Sequence, residues 1–268
     1  MEITKQQKSP VKFIQTLRGG TAHVLLFSDG NKYVVKWNGV AKKREKEVIN
    51  EYVAAQLAKL LSLPVPPFEL VYIPAEFIDN TPELHSKKYE FCPGCHYACL
   101  FIENSSELRK LKPLPSQTEI QNSEILARML VFDQWINNTD RTMSNVLLER
   151  LSDGNFYVHM IDHGKCFLGG YNWSAKTLRK DLKHKTRYQE TYQWAFSIIH
   201  EEHLTSFVEM IVSLPNESIY EAVQSIPKEW AVTKEESEAL YQFLVKQKTH
   251  LPTIITYLIS QYKGKSKK

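Results

Sequence analysis

The sequence feature that most constrains the fold is a pair of aspartates, Asp140 and Asp162, with Asn145 between them. An Asp-Gly pair at 153–154 separates two β-rich runs, which is typical of a tight hairpin. A hairpin of two short strands returns the chain to the place that it left. We therefore expect Asp162 to lie near Asn145, with Asp140 on the same loop as the asparagine.

These side chains have the composition of a phosphoryl-transfer centre. Such a centre needs a divalent cation on the phosphates and a carboxylate that orients the acceptor hydroxyl. Asn145 and Asp162 offer side-chain oxygens from separate segments, which suits Mg²⁺ because this ion takes few protein ligands and adds phosphate oxygens. Asp140 would face the acceptor, and Arg141 would pair with a neighbouring acid or hold the loop.

Two charged residues upstream are unusual for their positions. Lys36 lies in a β-rich run and shares a face with Val34, so it leaves the predicted sheet on a largely apolar side. Glu51 lies among apolar neighbours in a helix predicted over 43–62. Because a buried charge needs a partner, we expect Lys36 and Glu51 to form an ion pair, with Lys36 also contacting phosphate.

Turn signals precede the strand that carries Lys36. An Asp-Gly pair at 29–30 predicts a hairpin into that strand, and Gly19-Gly20 predicts a turn before it. Glycine lets backbone N–H groups approach a phosphate, so Gly19 and Gly20 are candidate nucleotide-binding residues. Two adjacent glycines are a weak signal when taken alone.

The order of the predicted elements divides the chain into two lobes. β-Branched and turn residues dominate early and helical periodicity dominates later, which predicts an α+β fold. The predicted parts are an N-terminal lobe at 1–104, a linker at 105–115, a helical lobe at 116–262 and a basic tail at 263–268. Ser116–Glu119 is a capping-box pattern that predicts the first helix of the second lobe. Further helices are predicted at 190–203, 204–213, 217–224 and 234–262, and an irregular connection at 74–90.

Composition excludes some classes of protein and favours others. The hydrophobic share of 43% and the charged share of 24% are typical of a globular protein. No run of 18 apolar residues occurs, so we expect no membrane span, and the polar start favours a cytoplasmic location. The net charge of +4 is concentrated in the tail at 263–268, which we interpret as a solvated end. We therefore expect no clear nucleic-acid partner.

The cysteines leave three interpretations open. Cys92, Cys95 and Cys99, with His96 beside them, invite a zinc site or a redox pair. A structural zinc site needs four ligands, and no second Cys-x-x-Cys occurs; Cys166 could complete the set only through the fold. We favour reduced structural cysteines because of these missing ligands.

The combined order of motifs resembles the protein-kinase-like superfamily. The order is a glycine turn, a strand lysine, a helix glutamate, Asp140-Arg141 with Asn145 following, and then Asp162-x-Gly. It is most similar to the HipA-like kinases and less so to the phosphatidylinositol 3/4-kinases. The stretch from Asn50 to Pro66 also resembles the HipA-like pattern, and the similarity spans roughly residues 12–170.

The resemblance implies a bilobal ATP-dependent kinase with ATP and Mg²⁺ as cofactors. Asp140 matches the catalytic base, Asn145 and Asp162 match the metal ligands, and Lys36 matches the phosphate-binding lysine. Ile102-Glu103 falls near the adenine-binding hinge. The acceptor would be an unidentified protein or small molecule, with protein serine or threonine as the first candidate. Thr142 stands where these relatives commonly place histidine.

Other interpretations remain at this stage. The same fold could be a catalytically silent module that binds nucleotide or a partner, or a kinase that acts on a lipid or small molecule. Asp140-Arg141 and Asp162-His163-Gly164 could each be an ordinary turn. We interpret His163 as a packing or solvent-facing residue rather than as an acid or base.

Overall fold

The computed structural model describes residues 8–40, 43–182 and 189–263. Its first half is rich in strands and its second half is mainly helical. The basic tail predicted at 263–268 lies outside these residues except for Lys263, where the last helix ends. Within the described residues, no helix combines the length and the apolar character that crossing a membrane requires.

The first half is an antiparallel sheet with one long helix beside it. Its elements are β1 (Pro10–Thr16), β2 (Ala22–Phe27), β3 (Lys32–Lys36), α1 (Glu47–Leu60), β4 (Phe68–Ile73), α2 (Ala75–Asp79) and β5 (Gly94–Leu100). The five strands lie in the order β1-β2-β3-β5-β4. The predicted turn at 29–30 joins β2 to β3, because Gly30 takes a positive φ of 80° and Asp29 accepts the Asn31 N–H at 3.0 Å.

Two expectations for the first half need correction. The helix predicted over 43–62 is shorter, because the Lys46 N–H is drawn to the Tyr171 carbonyl at 2.8 Å and α1 begins at Glu47. The connection predicted as irregular over 74–90 contains α2 and a 3-10 turn at Pro82–Leu84. Ile78 and Leu84 pack into the core of the sheet, and this burial supports both turns.

The second half joins a small sheet to a set of helices. Its elements are β6 (Ser105–Glu107), α3 (Ile125–Trp135), β7 (Val146–Arg150), β8 (Phe156–Met160), α4 (Ala175–Leu178), α5 (Glu190–Phe196), α6 (Glu201–Ser213), α7 (Asn216–Gln224) and α8 (Lys234–Lys263). The predicted hairpin is confirmed: β7 and β8 are antiparallel, with Val146 opposite Met160. The segment predicted as a linker contributes β6, which pairs with β7.

Two helix predictions in the second half are wrong in their bounds. The capping box at Ser116 forms, but it opens a 3-10 turn, and α3 begins only at Ile125. The chain leaves the helical path because Ile120 bridges to Phe156 of β8. The helix predicted over 190–203 is broken between α5 and α6, and the Ser197 hydroxyl bonds to the Trp194 carbonyl at the break.

Two apolar cores support this architecture. The sheet of the first half has its own core, which contains Trp37, Ile73 and Phe91. The larger core lies in the helical half and includes residues of α3, α6 and α8. It also includes the apolar side chains of α1, so this helix packs with the second half although it belongs to the first half in sequence.

Candidate active site

Three charged side chains meet where the sheet faces the helical half. The ammonium of Lys36, at the end of β3, lies 2.5 Å from Glu51 Oε1 on α1 and 3.0 Å from Asp162 Oδ1 after β8. The side chain of Glu51 is only 3% exposed, whereas that of Asp162 is 44% exposed. The ion pair between Lys36 and Glu51 that the sequence predicts is thus present in the structure, and Asp162 joins it.

The charges in this cluster shift one another's pKa values. Burial alone would lower the pKa of Lys36, but Asp162 and Glu51 raise it, so the ammonium stays charged. The ammonium of Lys36 lowers the pKa of Asp162, while burial raises the pKa of Glu51. Asp162 therefore carries a negative charge, and because its side chain is partly exposed it is the group positioned to attract a further cation.

Two features of the Asp162-His163-Gly164 motif let it lie close to Lys36 and Glu51. Asp162 adopts a left-handed φ of 59°, a conformation that aspartate tolerates better than most residues. A Cβ placed on Gly164 would lie 2.8 Å from Glu47 Cγ and 3.1 Å from Glu51 Oε1. Glycine is favoured here because the side chains of Glu47 and Glu51 occupy the space that a Cβ would need.

We expect Gly164→Ala to displace the side chains of Glu47 and Glu51 from their positions in the cluster. The added methyl group would destabilise the protein by about 1–3 kcal/mol, as overpacking in a core commonly does, and would separate Glu51 from Lys36. Urea unfolding and nucleotide-induced thermal shift measure the two effects. Gly154→Ala controls for a loss of stability away from the cluster, because the positive φ of 88° strains alanine there while the space around the residue is open. Nucleotide affinity equal to that of this control would contradict the prediction.

Arg141 joins the loop that holds Asp140 and Asn145 to the segment that holds Asp162. Its guanidinium donates to the carbonyl of Asn145 at 2.5 Å and to that of Ile161 at 2.8 Å. The Ile161 N–H also donates to the Asn145 carbonyl at 3.3 Å, so the hairpin returns the chain as expected. Asn145 Nδ2 donates to the Asp140 carbonyl at 2.6 Å, which orients the amide on its loop.

The anchor for Arg141 is a residue that the sequence analysis did not identify. Asp133 of α3 binds the guanidinium through two hydrogen bonds of 2.9 and 3.0 Å, and both side chains are 0% exposed. Asn138 Nδ2 donates to the same carboxylate at 2.8 Å. An acidic residue inside an otherwise apolar helical stripe was the signal available in the sequence.

His163 is buried and takes part in the same network. Its Nε2 accepts a hydrogen bond from Arg141 at 2.9 Å, and its ring packs edge-on against Phe132. Burial lowers the pKa of His163 far below its usual value, so the ring is neutral. Of the two interpretations given for His163 from the sequence, packing in the interior is confirmed and exposure to solvent is wrong.

Asn50 is a second residue that the sequence analysis did not assign to the site. Its side-chain amide donates to the carbonyls of Gly164 at 2.8 Å and Gly170 at 3.0 Å. Its Oδ1 accepts the Trp173 indole N–H at 2.6 Å. The residue next to Glu51 thus binds the segment that follows Asp162, which holds α1 against that segment.

Asp140 lies at the open side of the loop. Its side chain is 37% exposed, and one carboxylate oxygen lies 4.0 Å from the ammonium of Lys165. Its own N–H is held by Asn138 Oδ1 at 3.1 Å. The carboxylate is therefore accessible to a solvent-borne group and lies beside a cation.

A cavity of about 410 Å³ opens between the two halves, next to the charged cluster. Of the residues predicted for the site, Lys36, Glu51, Asp162 and Ile102 line it. Its apolar wall is formed by Val34, Val65, Pro66, Tyr97, Cys99, Leu100, Leu147 and Met160. This volume and this mixture of one apolar wall and a few convergent charges are typical of small-molecule sites.

Five of the predicted residues do not line the cavity. Asp140 and Asn145 lie on the neighbouring loop described above. Glu103 is exposed and pairs with Lys32 at 2.8 Å. Gly19 and Gly20 have positive φ values of 97° and 77° in their turn, while their neighbours Arg18 and Thr21 do line the cavity.

The cavity has groups that fit a phosphorylated ligand with a cation. Arg18, Lys36 and Arg44 contribute positive charge to its wall. The Nε–H of Arg44 is buried and has no hydrogen-bond acceptor among the described residues. Asn145 and Asp162 are the oxygen-bearing side chains that could hold Mg²⁺, which takes most of its ligands from phosphate and water.

The cysteines belong to different surroundings. Cys99 lines the cavity and Cys166 is buried in the helical core. His96 Nδ1 accepts the Asn38 N–H at 3.1 Å, and its Nε2 lies 3.0 Å from the Cys92 carbonyl. Within residues 8–40, 43–182 and 189–263, no group of three or more histidine, cysteine or acidic side chains is arranged to hold a metal ion.

Comparisons with known proteins agree with this architecture. Over 94% of the chain, the structure is similar to the Helicobacter pylori proinflammatory kinase CtkA, with a TM-score of 0.61, 14% identity and 97% of that chain covered. It is also similar to a Golgi casein kinase solved with Mn/ADP bound, with a TM-score of 0.51, 13% identity, and 91% and 73% of the two chains covered. The expected bilobal protein-kinase-like α+β fold is therefore confirmed.

Sequence comparison identifies the family. A search of the curated proteins found no significant match. The family model described as HipA-like kinase matches residues 14–254, which is most of the chain and includes both the charged cluster and the loop beside it. The protein therefore belongs to the HipA-like kinase family.

Proposed function

We propose that the protein is an ATP-dependent phosphotransferase that moves the γ-phosphate to a hydroxyl acceptor, with protein serine or threonine as the first candidate. The observation that carries the proposal is the cluster of Lys36, Glu51 and Asp162 at the edge of a half-apolar cavity. A kinase needs this combination, since the adenine requires an apolar slot and the phosphates require fixed charge. The Golgi casein kinase with Mn/ADP bound, a protein of the same fold, supports a nucleotide and a divalent cation as ligands.

The nucleotide and its cation would be bound by Lys36, Asn145 and Asp162. Lys36 would contact the phosphates while Glu51 holds its ammonium in place. Asn145 and Asp162 would hold Mg²⁺, which neutralises charge on the phosphates when it is bound. Arg141 keeps these two residues in register by binding the carbonyls of Asn145 and Ile161.

Asp140 would orient the acceptor. Its carboxylate is accessible and lies on the loop that Arg141 fixes, so it can accept a hydrogen bond from an incoming hydroxyl group. As the oxygen of that hydroxyl bonds to phosphorus, its proton would pass to Asp140, and the bond from phosphorus to the leaving ADP oxygen would break. Thr142 stands where these relatives commonly place histidine, so in this chain Arg141 and Asp133 anchor the loop.

The segment after β5 would form the end of the cavity that receives the adenine. Ile102 lines the cavity beside Leu100 and Phe101, and this stretch follows β5 as a kinase hinge would. Glu103 would help to set the hinge through its ion pair with Lys32. Gly19 and Gly20 would let the turn between β1 and β2 cover the phosphates, since their positive φ values exclude most other residues.

The test is phosphate transfer by the purified protein. We expect MgATP to raise the melting temperature and labelled γ-phosphate to appear on the protein itself or on an acceptor in a cell lysate, with both effects removed by EDTA. The matched comparison is Asp140→Ala in the same lysate, which should bind MgATP but transfer nothing. Nucleotide binding without transfer by the native protein would support a silent binding module instead. Transfer to lipid vesicles alone would identify a lipid kinase, and the absence of both binding and transfer would overturn the proposal.

A further inference from the structure

The ion pair between Lys36 and Glu51 joins the sheet to a helix that packs into the core of the helical half. Lys36 ends β3, in the sheet that has its own apolar core. Glu51 lies on α1, whose apolar residues, including Val48, Ile49 and Val53, belong to the core of the helical half. The lysine and the glutamate therefore meet only when the sheet is correctly seated on the helical half.

Contacts of the residue just before helix α1 and of a residue in its first turn hold the helix against the helical half. The ammonium of Lys46, just before the helix, lies 2.9 Å from Glu236 Oε1 of α8 and 4.8 Å from the centre of the Trp173 ring. Asn50 binds the carbonyls of Gly164 and Gly170. Motion of α1 by itself would break all of these contacts, so the sheet is the part whose seating decides whether Lys36 reaches the carboxylates.

One short segment of the helical half binds the sheet directly. The 3-10 turn Lys228–Trp230, which we call the latch, lies between α7 and α8. Glu229 Oε1 accepts the Cys95 N–H at 3.0 Å, and the indole N–H of Trp230 donates to the Cys95 carbonyl at 2.9 Å. The Trp230 ring also packs edge-on against Tyr52 of α1, at 5.6 Å between centroids.

The geometry of the sheet leaves Cys95 available to the latch. Strand β3 pairs with β5 only from Tyr97 to Leu100, so the β3 side of β5 has no strand partner at Cys95. An unpaired strand edge offers backbone N–H and C=O groups, and both groups of Cys95 are taken by the latch. Trp230 therefore touches the sheet through its indole nitrogen and α1 through its ring.

We propose that the latch holds the sheet in the position that sets Lys36 against Glu51 and Asp162, so that Glu229 and Trp230 are positioning residues of the nucleotide site. This inference rests on the proposed function. The peptide connection at 101–104 joins the two halves at one end of β5, and the latch joins them near the other end. The chain segments on either side of α1 and the packing of Tyr97 in the helical core also join the two halves, and the latch adds a fixed point at the far end of β5 that further restricts rotation of the sheet.

The chain offers closely matched variants for the test. Glu229→Ala removes the acceptor for the Cys95 N–H, whereas Glu229→Gln keeps a side-chain oxygen and is the conservative control. Trp230→Phe removes the indole N–H and keeps an aromatic ring against Tyr52. Glu235→Ala removes a nearby exposed acid that pairs with Arg179 instead, at 2.6 Å, and controls for loss of charge in this region.

Two measurements separate positioning from a merely structural role. Hydrogen–deuterium exchange should become faster in β3 and β5, with α3 and α6 unchanged, in Glu229→Ala and Trp230→Phe. Affinity for MgADP should fall by up to about five-fold in each variant and by up to about 25-fold in the double variant, limits that correspond to roughly one hydrogen bond apiece. The KM for MgATP should rise by similar factors while kcat changes less, because a competent site still forms once the sheet is seated.

Two results would overturn the proposal. Exchange and affinity in Glu229→Ala and Trp230→Phe that match those in Glu229→Gln would overturn it. A loss of protection spread equally over both halves would also overturn it, because the latch would then support overall stability only. If the native protein binds no nucleotide, the proposed function fails, and the exchange pattern in β3 and β5 still decides whether the latch seats the sheet.

Discussion

Asp140→Asn should lower the rate of phosphate transfer by about 10²–10⁴-fold and leave MgATP affinity within about two-fold of the native value, since general-base groups contribute on this scale. The substitution keeps the size of the side chain and removes only its negative charge and basicity. Asp140 does not line the cavity, and its N–H is held by Asn138, so nucleotide binding and the loop should both persist. Single-turnover transfer and isothermal titration measure the two quantities.

Asp181→Asn is the control for this comparison. Asp181 is an exposed aspartate that pairs with Lys246 at 2.6 Å, as Asp140 lies beside Lys165, but it lies outside the loop that Arg141 holds beside the cavity. Its transfer rate should equal that of the native protein. Equal loss of transfer in the two variants, or a large loss of MgATP affinity in Asp140→Asn, would contradict the role of Asp140 as the group that orients the acceptor.

Asp133→Ala should destabilise the protein by about 3–5 kcal/mol, which is the effect of leaving a buried charge without its partner. The guanidinium of Arg141 would remain fully buried after the loss of two hydrogen bonds to the carboxylate. Urea unfolding measures the change in the free energy of unfolding. Breaking the exposed pair of Arg179 and Glu235 is the control and should cost less than about 1 kcal/mol.

The double variant Asp133→Leu with Arg141→Met separates stability from function. Replacing both members of a buried ion pair by apolar side chains is commonly neutral or stabilising, so part of the free energy of unfolding should return, although Asn138 and His163 lose their hydrogen bonds to the pair. Phosphate transfer should stay low, because the carbonyls of Asn145 and Ile161 would lose the guanidinium that joins them. Recovery of transfer along with stability would show that Arg141 serves the fold alone.

Local chemistry explains the parts of the fold that the sequence predicts well. The Asp-Gly turns at 29–30 and 153–154 form because glycine accepts the positive φ that a tight turn demands, whatever surrounds it. Lys36 and Glu51 could be paired in advance because each was a charge in an apolar pattern and had no other evident partner. The turn predictions depend on a few neighbouring residues, and the ion-pair prediction depends on two charges that each lie in an apolar pattern.

Contacts between distant residues explain the errors. The capping box at Ser116 is locally sound, yet the chain leaves the helical path where Ile120 bridges to Phe156. A bridge between residues so far apart has no signature in the local pattern. The break after α5 and the late start of α1 have the same kind of origin, since tertiary contacts override helix propensity.

By itself, the sequence determined the order of the motifs, the hairpin that returns Asp162 towards Asn145, and membership of the HipA-like kinase family. Only the tertiary structure decided which residues hold those motifs in place. The anchors of the site, Asp133 and Asn50, act through buried hydrogen bonds to residues that lie far away in sequence. Seating of Lys36 likewise depends on α1 packing into the helical half, because burial of an apolar helix face is a property of the whole fold rather than of the helix alone.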